Sequence, residues 1–395
     1  MKIHKVRNNE CIMDIAEEYN INPLVIASVN GLDIGSRLTP GQELLVLMPT
    51  RVVNVKRGQG LDEICLRFSI SEEQLLAYNP ILGGRRKIYD GQMLCIKYAT
   101  PCLGVAVKNG YMYSGCSIRT LSERLCYTDI ITVCSLVWRD EKLCTLFDET
   151  EAMRLAQESG KRCFVRVYIT DSIDESNIEG FVRAVALYTA NRNYSGATIG
   201  GIEKISSKKG LADKLKDALC ELGKELFIEC SAGETGEHIS SCDGAILSYD
   251  KINLEQIPSF KDGEIKAYMS CVEGLDSYRC LMELSSFAYG GGRFVERARV
   301  INAAMAKGAE IVQDDERLVS EVIIGGRKPS KYIFESLENQ KARLTLAGEL
   351  GLCGISFDIA RIGLAELMMI ATAFSSPARL SGQGELNCRG EKYNS

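Results

Sequence analysis

Histidine is scarce in this sequence, with only His4 and His238 among 395 residues. A metal site built from several imidazoles is therefore excluded, and a catalytic triad that needs a histidine base is disfavoured. We expect no metal and no organic cofactor.

Long apolar runs are missing as well. No run approaches the roughly 18 residues that a membrane span requires, although 46% of the residues are hydrophobic and 25% are charged. The N-terminal segment carries charges where a secretory signal has its apolar stretch. These features predict a soluble protein made in the cytoplasm. The net charge of -5 argues against nucleic acid as the main partner.

A disulfide framework is disfavoured in spite of sixteen cysteines. Six of them lie scattered inside apolar, strand-like segments: Cys95, Cys134, Cys163, Cys230, Cys271 and Cys353. This scatter is typical of buried, reduced thiols. Whether the cysteines cross-link later in a protein layer stays open.

An internal repeat occupies the first quarter of the chain. The positions Val6, Ile12, Ile15, Tyr19, Asn30, Gly41 and Gln42 recur as Val55, Leu61, Ile64, Phe68, Asn79, Gly91 and Gln92. The offset is 49 residues, and 50 after one insertion. A repeat of that length indicates a supersecondary unit that occurs twice.

Each copy predicts the order strand, helix, helix, strand. The apolar residues of the first helix fall on one stripe. Pro23 opens the second helix in copy one, and Ser71 followed by Gln74 gives a capping-box spacing in copy two. After Asn30 and Asn79 the chain turns, and Gly-Gln leads into the last strand.

The two copies, residues 1–49 and 50–98, resemble the LysM family in a V-x-x-G-D-x-L start, an I-A segment, an N-x-L turn and a terminal G-Q strand. They depart from it at Asn9, Cys11 and Gln59-Gly60. The resemblance implies binding of peptidoglycan or another N-acetylglucosamine polymer along a shallow groove between two loops. The implied groove residues are Asn9, Glu10, Ile12, Asn30 and Leu32, with Gly58, Gln59, Leu61, Asn79 and Ile81 in copy two. Packing or oligomerisation modules are the alternative.

From residue 101 onward, apolar strand-like runs alternate with amphipathic helices, which predicts βα units. Eight strands are expected, at residues 103–107, 130–138, 163–168, 197–202, 226–230, 244–249, 265–271 and 354–357. The economical fold is an α/β protein with a (β/α)8 TIM barrel over residues 101–376. Residues 309–333 break the rhythm and predict a small inserted α+β subdomain. We expect a mobile tail at residues 378–395.

The segment KYIFESLENQKARLTLAGELGLCGISF, together with GAILSYD, resembles family 18 glycoside hydrolases, in particular the cortex-fragment-lytic N-acetylglucosaminidases of bacterial spores. This resemblance covers nearly all of residues 101–376. It implies deposition in the spore cortex or coat without a secretory signal. Other spore-layer proteins are further candidate partners.

The family's catalytic motif is degenerate here. The resemblance implies an orienting Asp and, two residues later, an acidic Glu at the end of strand four, where residues 194–202 supply Gly200 and Ile202. Glu203 follows, and a bulge at the glycine pair would be needed to bring it to the acid's face. On strand eight, Asp358 replaces the usual Trp. Tyr249 and Asp250 match the Tyr-Asp that orients the substrate.

Two interpretations of the barrel therefore compete. In the first, the barrel is an inactive scaffold, a lectin-like groove or a docking surface of a wall-binding spore protein. In the second, it is an active N-acetylglucosaminidase that uses Glu203, or another carboxylate such as Asp358, in an altered geometry. Fold resemblance does not decide between them, because function depends on the site.

Overall fold

Both N-terminal repeats have the predicted element order in the computed structural model, which describes residues 1–231, 241–248, 277–325 and 329–376. Copy one comprises β1 (Lys2–Lys5), α1 (Ile12–Tyr19), α2 (Pro23–Val29) and β2 (Glu43–Val46). Copy two comprises β3 (Pro49–Asn54), α3 (Leu61–Phe68), α4 (Glu72–Tyr78) and β4 (Met93–Tyr98). In each copy the two strands pair antiparallel.

Local sequence explains where the helices of the repeats begin. The Asn22 side chain accepts a hydrogen bond from Leu24 N, with Pro23 at the first helical position. In copy two, the Ser71 side chain accepts one from Gln74 N, as its spacing predicts. The apolar stripe of α1 faces the core, because Ile12 and Ile15 are fully buried.

Eight parallel strands close into the predicted barrel, in the order β6, β7, β9, β10, β11, β12, β13, β19 and back to β6. A ninth strand, β8 (Lys142–Thr145), forms a hairpin with β7. The barrel strands are β6 (Val107–Met112), β7 (Ile130–Arg139), β9 (Arg162–Ile169), β10 (Gly196–Gly200), β11 (Glu225–Ser231), β12 (Gly244–Ser248), β13 (Cys280–Leu284) and β19 (Gly354–Asp358).

Three of the expected strand positions differ from those in the structure. The first barrel strand begins at Val107, the last residue of the expected segment 103–107. That segment contains only the short strand β5 (Gly104–Val105), which pairs with β20 (Phe374–Ser375). The seventh barrel strand is β13, whereas the expected segment 265–271 lies outside the described residues. The expected strand four also ends two residues early, at Gly200.

Helices cover the outside of the barrel. They bury apolar faces against the strands, as where Phe181 meets Trp138 edge-to-face at a ring separation of 5.0 Å. Within the described part of the chain, no helix combines the length and the apolar character needed to cross a bilayer. The helices after the repeats are α5 (Ile118–Arg124), α6 (Thr150–Glu158), α7 (Ile178–Asn191), α8 (Lys208–Glu221), α9 (Arg297–Lys307), α10 (Leu337–Glu349) and α11 (Leu364–Ala373).

Between β13 and β19 the chain forms the inserted α+β subdomain. Its antiparallel sheet has the order β15, β14, β18, β17, β16, and α9 packs on it. The tight β14–β15 hairpin turns at Gly291 and Gly292, both at positive φ, as a type I′ turn requires. The sheet thus begins at Phe287, upstream of the expected segment. Its strands are β14 (Phe287–Gly290), β15 (Arg293–Glu296), β16 (Ile311–Asp314), β17 (Val319–Ile324) and β18 (Ser330–Glu335).

The repeats pack against the body of the protein. In copy one, Pro40 O accepts a hydrogen bond from Ile311 N on the edge strand of the insertion, at 2.9 Å. In copy two, Ala77 O accepts one from the Tyr127 hydroxyl at 3.0 Å. Hydrogen bonds of this kind fix the orientation of both repeats on the body of the protein.

Candidate functional site

The end of β10 lacks both acidic residues of the resembling family's motif, and its backbone turns away from the barrel axis. Gly200 is the last strand residue, and Gly201 adopts a left-handed conformation with φ 78°. A Cβ on Gly201 would collide with Ile169 O, so only glycine fits there. Ile202 then enters the core between the barrel and its helices, 4% exposed. Glu203 follows, exposed, on a 3₁₀ turn.

A half-buried ion pair occupies the space in front of Gly200. Arg166 on β9 donates to Glu229 on β11 through Nε at 2.6 Å and through Nη2 at 2.7 Å. The Tyr111 hydroxyl on β6 donates to the same carboxylate at 2.7 Å. A Cβ on Gly200 would collide with Glu229 Oε2. Glu229 therefore fills the volume that an orienting Asp side chain would need.

Electrostatics stabilise this pair in its charged form. Burial lowers the pKa of Arg166, but the charge and hydrogen bonds of Glu229 outweigh that effect and raise it well above its ordinary value. Glu229 accepts three donated hydrogen bonds, which suit a carboxylate and oppose its acting as a proton donor. The arrangement can orient a polar group, but it supplies no acid.

Asp358 is also committed to local structure. Its Oδ1 accepts hydrogen bonds from Ala360 N at 2.9 Å and Arg361 N at 3.0 Å, and Oδ2 accepts one from Arg361 Nη1 at 2.6 Å. The carboxylate thus orders the loop after β19 and points Arg361 at the barrel mouth. Tyr249 and Asp250, the other expected barrel residues, lie outside the described residues.

The loop that begins the groove is built in the same way in both repeats. Asn9 in copy one and Gly58 in copy two occupy the left-handed region, with φ 61° and 75°. Asparagine tolerates that conformation better than other side chains, which explains the departure at Asn9. The Glu10 side chain accepts a hydrogen bond from Arg7 N at 2.7 Å, and the Gln59 side chain accepts one from Lys56 N at 3.2 Å. In both copies the acceptor lies three residues after the donor.

The asparagines of the N-x-L turns join helix to strand. Asn79 Nδ2 donates to Leu75 O and Cys95 O, both at 2.8 Å, while its Oδ1 accepts from Cys95 N at 2.7 Å. Asn30 makes the equivalent bonds to Ile26 and Leu45. Because both amide donors are used, the two residues shape their groove and leave no N–H for a ligand.

The two expected grooves differ in exposure. Ile12 and Leu61 are buried core residues in both copies. Ile81 in copy two is 58% exposed, whereas its equivalent, Leu32, is half-buried and packs against the core. Gly31, beside Leu32, lies against the Leu364 side chain at the start of α11. Copy two therefore presents an open apolar side chain that copy one lacks.

Sequence reasoning missed Arg166 and Glu229. The available signal was the alternation of side chains between the two faces of a strand. Arg166 shares a face with Phe164, and Glu229 shares a face with Phe227. A charge at a strand position that should face the barrel interior predicts an oppositely charged partner there. Nothing in the sequence indicates that these two residues are partners, since they lie on different strands 63 residues apart.

The class of protein follows from this geometry and from comparison with known families. Residues 4–46 and 53–97 match the LysM domain family. The chain thus carries two LysM domains, packed on a (β/α)8 barrel with an α+β insertion.

Solved structures similar to this chain include two spore cortex-lytic enzymes named SleL. The Bacillus cereus protein matches with a TM-score of 0.70 at 14% identity, over 95% of this chain and 99% of that one. The Bacillus megaterium QM B1551 protein also matches with a TM-score of 0.70, at 13% identity, over 96% and 99%. A chitinase from Chromobacterium violaceum ATCC 12472 matches with a TM-score of 0.59 at 13% identity, over 68% of this chain and 98% of its own. At identities this low, the structural matches establish the fold alone. A search of curated protein sequences gives no significant match.

Proposed function

We propose that this protein binds N-acetylglucosamine-containing glycan strands of the bacterial cell wall, mainly through its second LysM domain. The observation that carries the proposal is the open groove of copy two. There, Ile81 is exposed, and Gly58 and Gly60 of the first groove loop face open space. Backbone groups in such a groove can bond an acetamide while the apolar side chain covers a sugar face.

The test is co-sedimentation of the full-length protein with insoluble peptidoglycan. We expect Ile81→Asp to reduce the bound fraction by about tenfold or more, because a charge in the groove has to be desolvated on binding. Leu187→Asp is the matched control, since Leu187 is 50% exposed on a barrel helix far from the repeats in sequence. Absence of the wild-type protein from the pellet would favour the alternative that the repeats are only packing modules.

We further propose that the barrel does not hydrolyse glycan. Support comes from the glycine at position 200 and from the Arg166–Glu229 pair that fills the space in front of it. Substrate-assisted hydrolysis needs both an oriented acetamide and an acid within hydrogen-bond reach of the leaving oxygen. Glu203 would have to leave its exposed turn to provide that acid. The second interpretation, an active glycosidase, therefore requires a rearrangement of the end of β10 if Glu203 is the acid, or the release of Asp358 from Ala360 N and Arg361 if Asp358 is the acid.

We place the protein in the spore cortex or coat. The support is its similarity in fold to cortex-lytic enzymes over nearly the whole chain. Immunoblotting of fractionated spores tests the location: the protein should appear in the cortex and coat fractions. Its confinement to the core would contradict the proposal.

A further inference from the structure

The last turn of α3 in copy two exposes an apolar side chain beside two arginines. Leu66 is 82% exposed, more than any other large apolar side chain that the structure describes. The guanidinium groups of Arg51 and Arg67 lie 4.6 and 5.2 Å from the Phe68 ring centre. Neither arginine pairs with a carboxylate within the described part of the chain. Lys97, opposite Arg51 in the β3–β4 ladder, is a third exposed cation. The side chains that define this basic face are Arg51, Leu66, Arg67 and Phe68.

Other charged groups near the basic face reduce its charge without reversing it. Asp62 and Glu72 share the guanidinium of Arg86, at 2.7 and 3.0 Å. Glu63 lies one turn before Arg67 and has no cationic partner among the described residues. With these groups included, four cations lie near three carboxylates. The surface at the end of α3 therefore stays positive.

The equivalent surface of copy one is acidic. With the 49-residue offset, Glu17 and Glu18 of α1 occupy the positions of Leu66 and Arg67. Glu18 pairs with Arg7 at 2.8 Å, whereas Glu17 has no cationic partner in the part of the chain that the structure describes. Because the repeat forms with either charge at these positions, the basic face of copy two is not a requirement of the fold.

The acidic face of copy one also carries an exposed apolar side chain. Met13 and Asp14 lie one turn before Glu17 and Glu18, so each pair shares a side of α1. Met13 is 53% exposed. Hydrogen bonds from the side chain and backbone of the N-cap residue lower the pKa of Asp14, which keeps its carboxylate charged. The side chains that define this acidic face are Met13, Asp14, Glu17 and Glu18.

The two copies differ in net charge as well. Residues 1–49 contain four lysines and arginines and six carboxylates, whereas residues 50–98 contain eight and five. Surfaces of opposite charge attract each other within about a Debye length, which guides their docking. The exposed apolar side chains, Leu66 and Met13, gain free energy when they leave water. The basic face and the acidic face are therefore complementary in charge and in apolar contact.

From this complementarity we infer that the protein associates with itself, the basic face of one molecule docking on the acidic face of a second molecule. Leu66 packs on Met13, and Arg67 pairs with Glu17. One helix face is small beside the roughly 800 Å² per partner of a stable interface, so the association is weak in solution. Molecules held on one polymer lie close together, where a weak contact is sufficient. The contact itself does not depend on glycan binding.

The test is sedimentation velocity of the full-length protein over a range of concentrations at about 0.1 M salt, where charges act over about 10 Å. We expect the weight-average mass to rise with concentration. Glu17→Arg and Arg67→Glu should each weaken the association by about tenfold or more, because like charges then meet. Mixed in equal amounts, these two variants should associate again, since each supplies the charge that the other lacks. Leu66→Ser should weaken the association too.

Arg183→Glu is the matched control, because it changes the net charge as Arg67→Glu does, at an exposed site on α7. It should associate as the wild-type protein does. Circular dichroism checks that every variant folds. A wild-type mass that stays at that of the monomer at every concentration would overturn the inference. So would an association that both charge reversals leave unchanged, or folded variants that fail to associate when mixed.

Discussion

Arg166 and Glu229 lie on strands either side of β10, and their side chains meet in front of Gly200, with Nε–Oε1 and Nη2–Oε2 distances of 2.6 and 2.7 Å. In the family that the barrel resembles, an orienting carboxylate belongs at that position. Here the carboxylate comes from the next strand and is held by a guanidinium. In this chain an ion pair therefore occupies the barrel mouth in front of Gly200.

Gly200→Ala tests how tightly the pair fills the mouth. The added Cβ would press on Glu229 Oε2 and lie 3.0 Å from Arg166 Nη2, so we expect a loss of about 1–3 kcal/mol in the free energy of unfolding. Gly180→Ala is the control, because Gly180 is exposed in α7 with open space around its Cα. That change should stabilise by about 0.5–1 kcal/mol. Chemical denaturation measures both, and equal stabilisation of the two variants would contradict the crowding.

Restoring the family motif should fail to restore activity. Gly200→Asp with Ile202→Glu places an Asp against Glu229 and a Glu in the apolar core, where an unpaired charge is costly. We expect no release of reducing ends from peptidoglycan and a less stable protein. Circular dichroism checks that the variant folds. Turnover in a folded variant would show that the ion pair leaves the catalytic position accessible.

The LysM domains could be predicted almost completely from the sequence, because their signals are local. A helix stripe, a cap such as Ser71 and a Gly-Gln turn act within a few residues, and duplication shows each of them twice. The unequal exposure of Leu32 and Ile81 could not be predicted. It depends on how each copy packs on the rest of the chain, as where Gly31 approaches Leu364, more than 300 residues away.

Barrel strands were predicted where they are apolar and missed where they are not. In β6, Asn109 points inward and bonds Thr132 and Ser356 at 2.7 and 2.9 Å, so the strand lacks the apolar character that the preceding segment shows. For strand seven, the sequence offers two short apolar runs that contain a cysteine, residues 265–271 and Cys280–Leu284. Periodicity alone does not show which of them is the strand. Pairing with β12 and β19 selects β13.

Docking of the first LysM domain should depend on pH through Glu43. Burial raises the pKa of this carboxyl from 4.5 to about 7, with Glu338 adding to the rise, while the Leu337 N–H, Lys5 and Arg297 oppose it. The pKa of Glu43 is higher in the folded protein than in the unfolded chain. Its contribution to the free energy of unfolding is therefore complete below about pH 4.5 and is lost as the pH rises through 7. The loss amounts to at most about 3 kcal/mol.

The measurement compares the free energy of unfolding at pH 5 and pH 8 for the wild-type protein and Glu43→Gln. The glutamine variant keeps an acceptor for Leu337 N–H but does not ionise, so its stability should fall less over this range. An identical pH dependence of the two proteins would rule out Glu43 as the titrating group.

Thiol reactivity should follow burial. Cys11, Cys102 and Cys220 are exposed, whereas Cys95 and Cys163 are buried, which raises the pKa of their thiols to about 11 and about 12. Titration of the native protein should show a few fast thiols, and denaturation should release most of the sixteen. Few titratable thiols in the denatured, freshly purified protein would contradict the reduced thiols predicted from the cysteine pattern.

The most direct test of the account measures binding and cleavage in one sample. Full-length protein is incubated with insoluble peptidoglycan, and the bound protein and the reducing ends released are quantified together over a range of protein concentrations. The account predicts saturable binding with no release above that of the heat-denatured protein. Release of reducing ends in proportion to bound protein, abolished by Glu203→Gln without loss of binding, would contradict it and identify an active glycosidase.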